Sequence, residues 1–177
     1  MRFLPFVSLA LFLITSCSPK VALIGNQNSE TIFWQPQLRD SVLINKYRMA
    51  MSRDKVNISG IWIVKLMEDS WRGALINEFG LKLFDFSCNA DDCQLINVVK
   101  MMDKWYIKKT IAGDIQFLLE IDNPKFKPGK YAERRIRNDI LSISYKKEKM
   151  LLQYTTGEII MYNRKHKLKY SFKKIEE

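Results

Sequence analysis

The chain has 177 residues, with 29 Lys and Arg against 19 Asp and Glu, a formal net charge of +10. Hydrophobic residues make up 47% and charged ones 27%, with only 7 Gly and 5 Pro; neither a disordered chain nor a fibrous repeat fits, and the length suits one domain with a real core. A single His removes most His-based metal and nucleophile schemes, so the bulk numbers favour a binding or carrier protein over an enzyme.

Met1-Arg2 supplies a positive charge, and Phe3 to Ile14 is an apolar run of twelve residues. That is too short to span a membrane as a mature helix and has the layout of a secretory signal. No later stretch approaches the roughly 18 apolar residues a spanning helix needs. The ending Ile14-Thr15-Ser16-Cys17 resembles the bacterial lipobox. The resemblance implies cleavage before Cys17 and a covalent lipid on its sulfur, an anchor worth about 0.8 kcal/mol per buried methylene. Residues 1–16 are then a signal peptide, 17–40 a lipidated start and tether, and 41–177 a single domain. Ser18 in place of Asp does not resemble an inner-membrane retention signal, so the expected location is the outer membrane, facing the periplasm.

From Leu43 onward the chain reads as strands. Lys46 to Ser52 and Val56 to Leu66 flank the polar turn Arg53-Asp54-Lys55, and Ile61-Trp62-Ile63-Val64 is apolar on both faces, predicting a strand covered from both sides. Trp71 to Ile76, Leu81 to Phe86 and Gln94 to Val99 follow, the first two separated by Asn77-Glu78-Phe79-Gly80. Met101 to Ile121 changes period: Met102, Trp105, Ile107, Ile111, Ile115, Leu118 and Leu119 recur at three- and four-residue spacing, predicting one amphipathic helix weakened at Gly113 and stopped by Asp122-Asn123-Pro124. Pro124 to Gly129 is a basic loop. Strands resume over Ile136 to Tyr145, Leu151 to Thr155, Glu158 to Asn163 and Leu168 to Lys174; the last puts Leu168, Tyr170 and Phe172 on one face and Lys on the other. Short turns between neighbours predict an antiparallel meander of about eight to eleven strands, which tends to curl. The fold class is therefore mainly β with one principal helix (α+β), an antiparallel half-open β-barrel covered by that helix.

Cys88 and Cys93 flank the turn formers Asn89-Ala90-Asp91-Asp92, so they face each other across a hairpin, either as a disulfide or as two free thiols. They lack further partners for a metal site. Charge is uneven: residues 17–99 carry nine basic and nine acidic groups, whereas 100–177 carry nineteen and ten. An exported protein rarely meets nucleic acid. The basic half suits anionic lipid headgroups or, equally, a solvated face. Asp91-Asp92 read as solvated turn residues. His166, in Arg164-Lys165-His166-Lys167, has no nucleophile or orienting acid near it in sequence. No enzyme, metal or cofactor is expected.

The stretch Trp71-Arg72-Gly73-Ala74-Leu75-Ile76-Asn77-Glu78-Phe79-Gly80, the strand Leu81 to Phe86 after it, and the helix at 101–121 together resemble the LolA/LolB family of lipoprotein carriers and receptors. Glu78-Phe79 stands where that family has a Pro-Leu pair. The resemblance implies a half-open barrel that takes the acyl chains of a lipoprotein cargo into a dry interior and inserts it into the outer membrane, with a LolA-like periplasmic carrier as donor and a monomeric receptor. It also implies that an exposed apolar residue before Gly80, here Phe79, hands cargo to the bilayer; the alternative is that Phe79 folds inward as core. Alternation offers Trp62, Val64, Leu75, Leu83, Ile96, Trp105, Ile115 and Leu118 as acyl-cavity linings, or as plain packing. Two rivals remain: the same fold carrying another lipid, and a docking or assembly lipoprotein without a cavity ligand.

Overall fold

Ten antiparallel strands follow one another round a single sheet in the order β5-β4-β3-β2-β1-β10-β9-β8-β7-β6. The structure is a computed structural model that describes residues 44–175 apart from 69, 139, 147, 148 and 156. The expected signal peptide 1–16, the acylated Cys17 and the tether 17–40 lie outside the described residues. The strands are β1 (Asn45–Arg53), β2 (Val56–Met67), β3 (Ser70–Asn77), β4 (Lys82–Cys88), β5 (Cys93–Ile96), β6 (Glu133–Arg137), β7 (Ile140–Tyr145), β8 (Met150–Thr155), β9 (Glu158–Asn163) and β10 (Leu168–Lys174). Two helices, α1 (Trp105–Glu120) and α2 (Lys127–Lys130), connect β5 to β6. The first strand pairs with the last, Met49 opposite Phe172, while β5 and β6 stay at the two ends of the sheet without pairing to each other. The sheet is thus not closed.

The period-2 rule decides which face is dry. In β1 it buries Tyr47, Met49 and Met51, in β2 Trp62 and Val64, and in β10 Tyr170 and Phe172. Trp62 sits at the centre of an aromatic group, with ring centroids 5.6 Å from Tyr47, 5.7 Å from Phe86 and 5.1 Å from Phe172. Gly73 opposite Phe86 keeps that ring close to β3: a Cβ there would collide with it. Helix α1 packs on β4 and β5 and buries its second half, from Ile111 through Ile115, Leu118 and Leu119.

Four expectations need correction. The Ile61–Val64 run is not covered on both faces: β2 alternates, with Ile61 exposed and Ile63 only half-buried, because the helix lies on one face of the sheet only. The run Ile136 to Tyr145 is not one strand but the hairpin β6–β7, turning at Asn138 with φ 49°. All five residues of β6 are exposed, so this end strand has no dry face to give it an alternating pattern. The principal helix begins at Trp105 rather than Met101 and passes through Gly113 without interruption. The supposed loop after Pro124 contains the short helix α2.

Candidate functional site

The β3–β4 connection is fixed by one side chain. Asn77 Oδ1 accepts hydrogen bonds from the backbone N–H of Phe79 at 3.0 Å and of Leu81 at 2.8 Å. The backbone of Asn77 exchanges two more with Leu81 O and Gly80 N. Asn side chains make such local bonds readily, which is why they favour turns. Ser59 Oγ donates to Glu78 Oε1 at 2.9 Å and ties the loop to β2. Gly80 takes φ 79°, a conformation most side chains resist. The loop so held carries Phe79 at its tip with 95% of its surface exposed, next to the exposed Leu81. The inward-folded alternative for Phe79 is therefore not what the structure has.

Phe79 borders one of two adjoining open clefts. The smaller, about 250 Å³, is lined by Asn57, Ser59, Phe79 and Leu83 along with Ile58, Met101 and Met102. The larger, about 370 Å³, shares those last three residues and adds Met51, Val56, Tyr106, Ile107, Ile111 and Leu168, with Arg53, Thr110 and His166 as polar members. The walls come from the β1–β2 hairpin, the segment before α1, the first half of α1 and the β9–β10 turn. Met supplies adaptable packing there. Burial, then the charges of Lys165 and Arg53, hold the His166 pKa below its ordinary value. Arg53 itself is 3.8 Å from Asp54 in an exposed pair.

Of the eight residues offered as cavity linings, only Leu83 lines one of these clefts. Trp62, Val64, Leu75, Ile115 and Leu118 are fully buried within the core cluster and line neither of these clefts. Ile96 and Trp105 fail outright, at 45% and 73% exposed. Ile96 has the wrong parity: Leu95 is opposite the buried Phe86, which leaves Ile96 opposite Asp85 on the outer side. Trp105 belongs to the first turn of α1, where its own side of the helix is exposed, although Ile107 already packs partly against the core.

Helix α1 is fastened to the sheet by a buried acid. Asp114 Oδ1 accepts from Asn163 Nδ2 and Oδ2 from the Tyr170 hydroxyl, both at 2.6 Å. Burial pushes the Asp114 carboxyl up to about 6, against the lowering effect of those two hydrogen bonds. Burial and the neighbouring Asp114 raise Tyr170. Cys88 and Cys93 form a disulfide across the β4–β5 hairpin, whose turn receives a hydrogen bond from Gln116 of α1 to Asn89 O at 2.9 Å.

No protein-family model matches this chain, and no curated protein matches it. Among the described residues no helix is long and apolar enough to cross a membrane, which leaves membrane contact through strands or loops untouched. Also among them, no three His, Cys, Asp or Glu side chains group as a metal site. Sequence reasoning missed the bracing role of Asn77, the cleft residues Ile58 and Leu168, and the latch at Asp114. A signal existed for Asn77, an Asx-turn former ahead of Gly80, and for Asp114, an acid on the apolar side of the helix repeat.

Proposed function

We propose that this chain is an outer-membrane-anchored lipoprotein of the LolA/LolB kind, which takes up acyl chains non-covalently and helps insert another lipoprotein into the membrane. The observation that carries the reading is Phe79, an aromatic tip left 95% exposed on a hydrogen-bonded loop, at the edge of a cleft that shares Ile58, Met101 and Met102 with a larger, more apolar one. An unpartnered aromatic of this size in water suits partition into a lipid interface. In this reading the clefts hold the acyl chain, the Met and Ile side chains yield as it enters, and Phe79 breaches the headgroup layer so that the chain leaves by a continuous apolar path. No covalent step is required, and the partners are membrane lipid, an acylated cargo and a periplasmic carrier. Cys17 supplies the tether.

The size of the clefts favours a second reading of the cargo. At the ~30 Å³ of a water per methylene, the larger cleft takes roughly a dozen carbons, one chain rather than three. A single-chain lipid is then the cargo, with the same exit. The test is native mass spectrometry of the chain from residue 17 with Cys17→Ala, offered a triacylated lipopeptide or a free fatty acid. A one-to-one lipopeptide complex that releases to liposomes more slowly when Phe79→Glu is introduced supports the receptor. Complexes with fatty acid alone move the assignment to a single-chain carrier. No complex with either sinks both readings.

A further inference from the structure

The segment 100–109 reads Lys-Met-Met-Asp-Lys-Trp-Tyr-Ile-Lys-Lys, four Lys against one Asp, and that Asp is held by Lys108 at 2.6 Å. It leads into α1 against every preference of a helix start. Lys104 is the N-cap residue, no side chain caps the free N–H groups, and the first turn has no acid. Positive side chains beside the positive end of a helix dipole are unfavourable unless something negative lies outside. The same segment exposes Met101 at 71%, Trp105 at 73% and Tyr106 at 52%. Trp105 and Tyr106 pack edge to face with centroids 6.1 Å apart. Met101 lines the smaller cleft together with Phe79 and the larger together with Tyr106, so this segment borders both clefts. Lys55 and Lys165, both exposed, stand on the two turns that flank the larger cleft.

We propose that this basic, aromatic rim is a second membrane contact that docks on anionic lipid and seats the cleft mouth on the bilayer. The inference rests on the membrane-anchored reading above and adds to it a headgroup preference and a site separate from the Phe79 loop. Trp and Tyr at headgroup depth, with Lys around them, match an anionic interface in both polarity and charge. Other occupants fit less well. A second copy of this chain brings its own net charge of +10, and residues 18–43 carry Lys20 and Arg39 against Glu30 and Asp40, with no negative excess to offer.

The experiment is co-sedimentation of the soluble Cys17→Ala mature chain with vesicles of phosphatidylcholine alone or with phosphatidylglycerol. Binding is expected only with the anionic lipid, and at least tenfold weaker in high salt. Each Lys near the surface is worth about a fivefold change, so Lys100→Gln, Lys104→Gln and Lys109→Gln together should weaken it at least tenfold. The matched triple Arg72→Gln, Lys173→Gln and Lys174→Gln, at the opposite ends of β3 and β10, should change it less than twofold. Trp105 emission, taken as the difference from Trp105→Phe, should move to the blue on docking. Equal losses in the two triples, equal binding to neutral vesicles, an unmoved Trp105 or no binding at all would each overturn the proposal. The lipopeptide complex is measured on the same samples. Its survival without vesicle docking would sink the dock and spare the cargo reading; docking without it would do the reverse.

Discussion

Asn77 braces its loop from within, so the exposed ring of Phe79 contributes nothing to holding the backbone that presents it. Phe79→Glu is therefore expected to leave the unfolding midpoint within the ±0.5 kcal/mol of an ordinary surface change while slowing release to liposomes. Asn77→Ala removes the acceptor of two backbone N–H groups and should cost about 1–2 kcal/mol by chemical denaturation. A reversed order of these two effects would mean that the Phe79 ring is structural. Asp114 gives a pH prediction of definite sign. Its folded-state pKa of about 6 lies above the ordinary value near 4, so the folded chain holds this proton longer than the unfolded one. The advantage is complete below pH about 4 and is lost as pH rises to about 6, a swing of up to about 3 kcal/mol for two pKa units. Relative to Asp114→Asn, the wild type should lose stability over that window and stay level above it. A gap that does not move with pH would place the Asp114 carboxyl in water.

At the scale of elements, the alternating segments were the legible ones. β10 shows its faces in its letters because Leu168, Tyr170 and Phe172 meet the core while Lys169 and Lys173 meet water. β6 hid because Arg134, Arg135 and Arg137 face solvent, a charged end strand that also discourages edge pairing with other chains. Helical spacing named the right residues from Ile111 onward but also captured Trp105, since periodicity shows which side a residue is on and not whether anything lies beneath that turn. β5 carried an equal ambiguity: the parity of a four-residue strand is set by its partner Phe86, which is remote in sequence. The Cys88–Cys93 bond closes a short loop, and in the chain-entropy account its removal by a double change to Ala should cost about 2 kcal/mol, read by thermal or denaturant unfolding. Lipid binding should survive, because neither Cys lines either of the two clefts described. A loss of cargo binding in a variant that remains folded would assign the β4–β5 hairpin to the site.

For the whole molecule, a meander with a single principal helix was readable from turn spacing and one change of period. The position of the open space was not. Eight candidates were drawn from the apolar faces, yet large aromatics fill the middle of the sheet, and among the described residues two clefts open toward the start of α1, where Ile58, Met101, Met102 and Leu168 leave the core incompletely filled. Cleft position depends on the summed volumes of side chains from six segments, which no local pattern encodes. The resemblance to lipoprotein carriers singled out Phe79; the structure shows its ring exposed, and its use as an exit is the proposal above. The measurement that bears most directly on this account is photolabelling with a lipopeptide carrying a diazirine at the end of one acyl chain. After irradiation and digestion, the account predicts label on Met101, Met102, Ile107 or Leu168, competed by unlabelled lipopeptide. Label confined to the outer face, at Ile61 or Ile136, or no label at all, would contradict it.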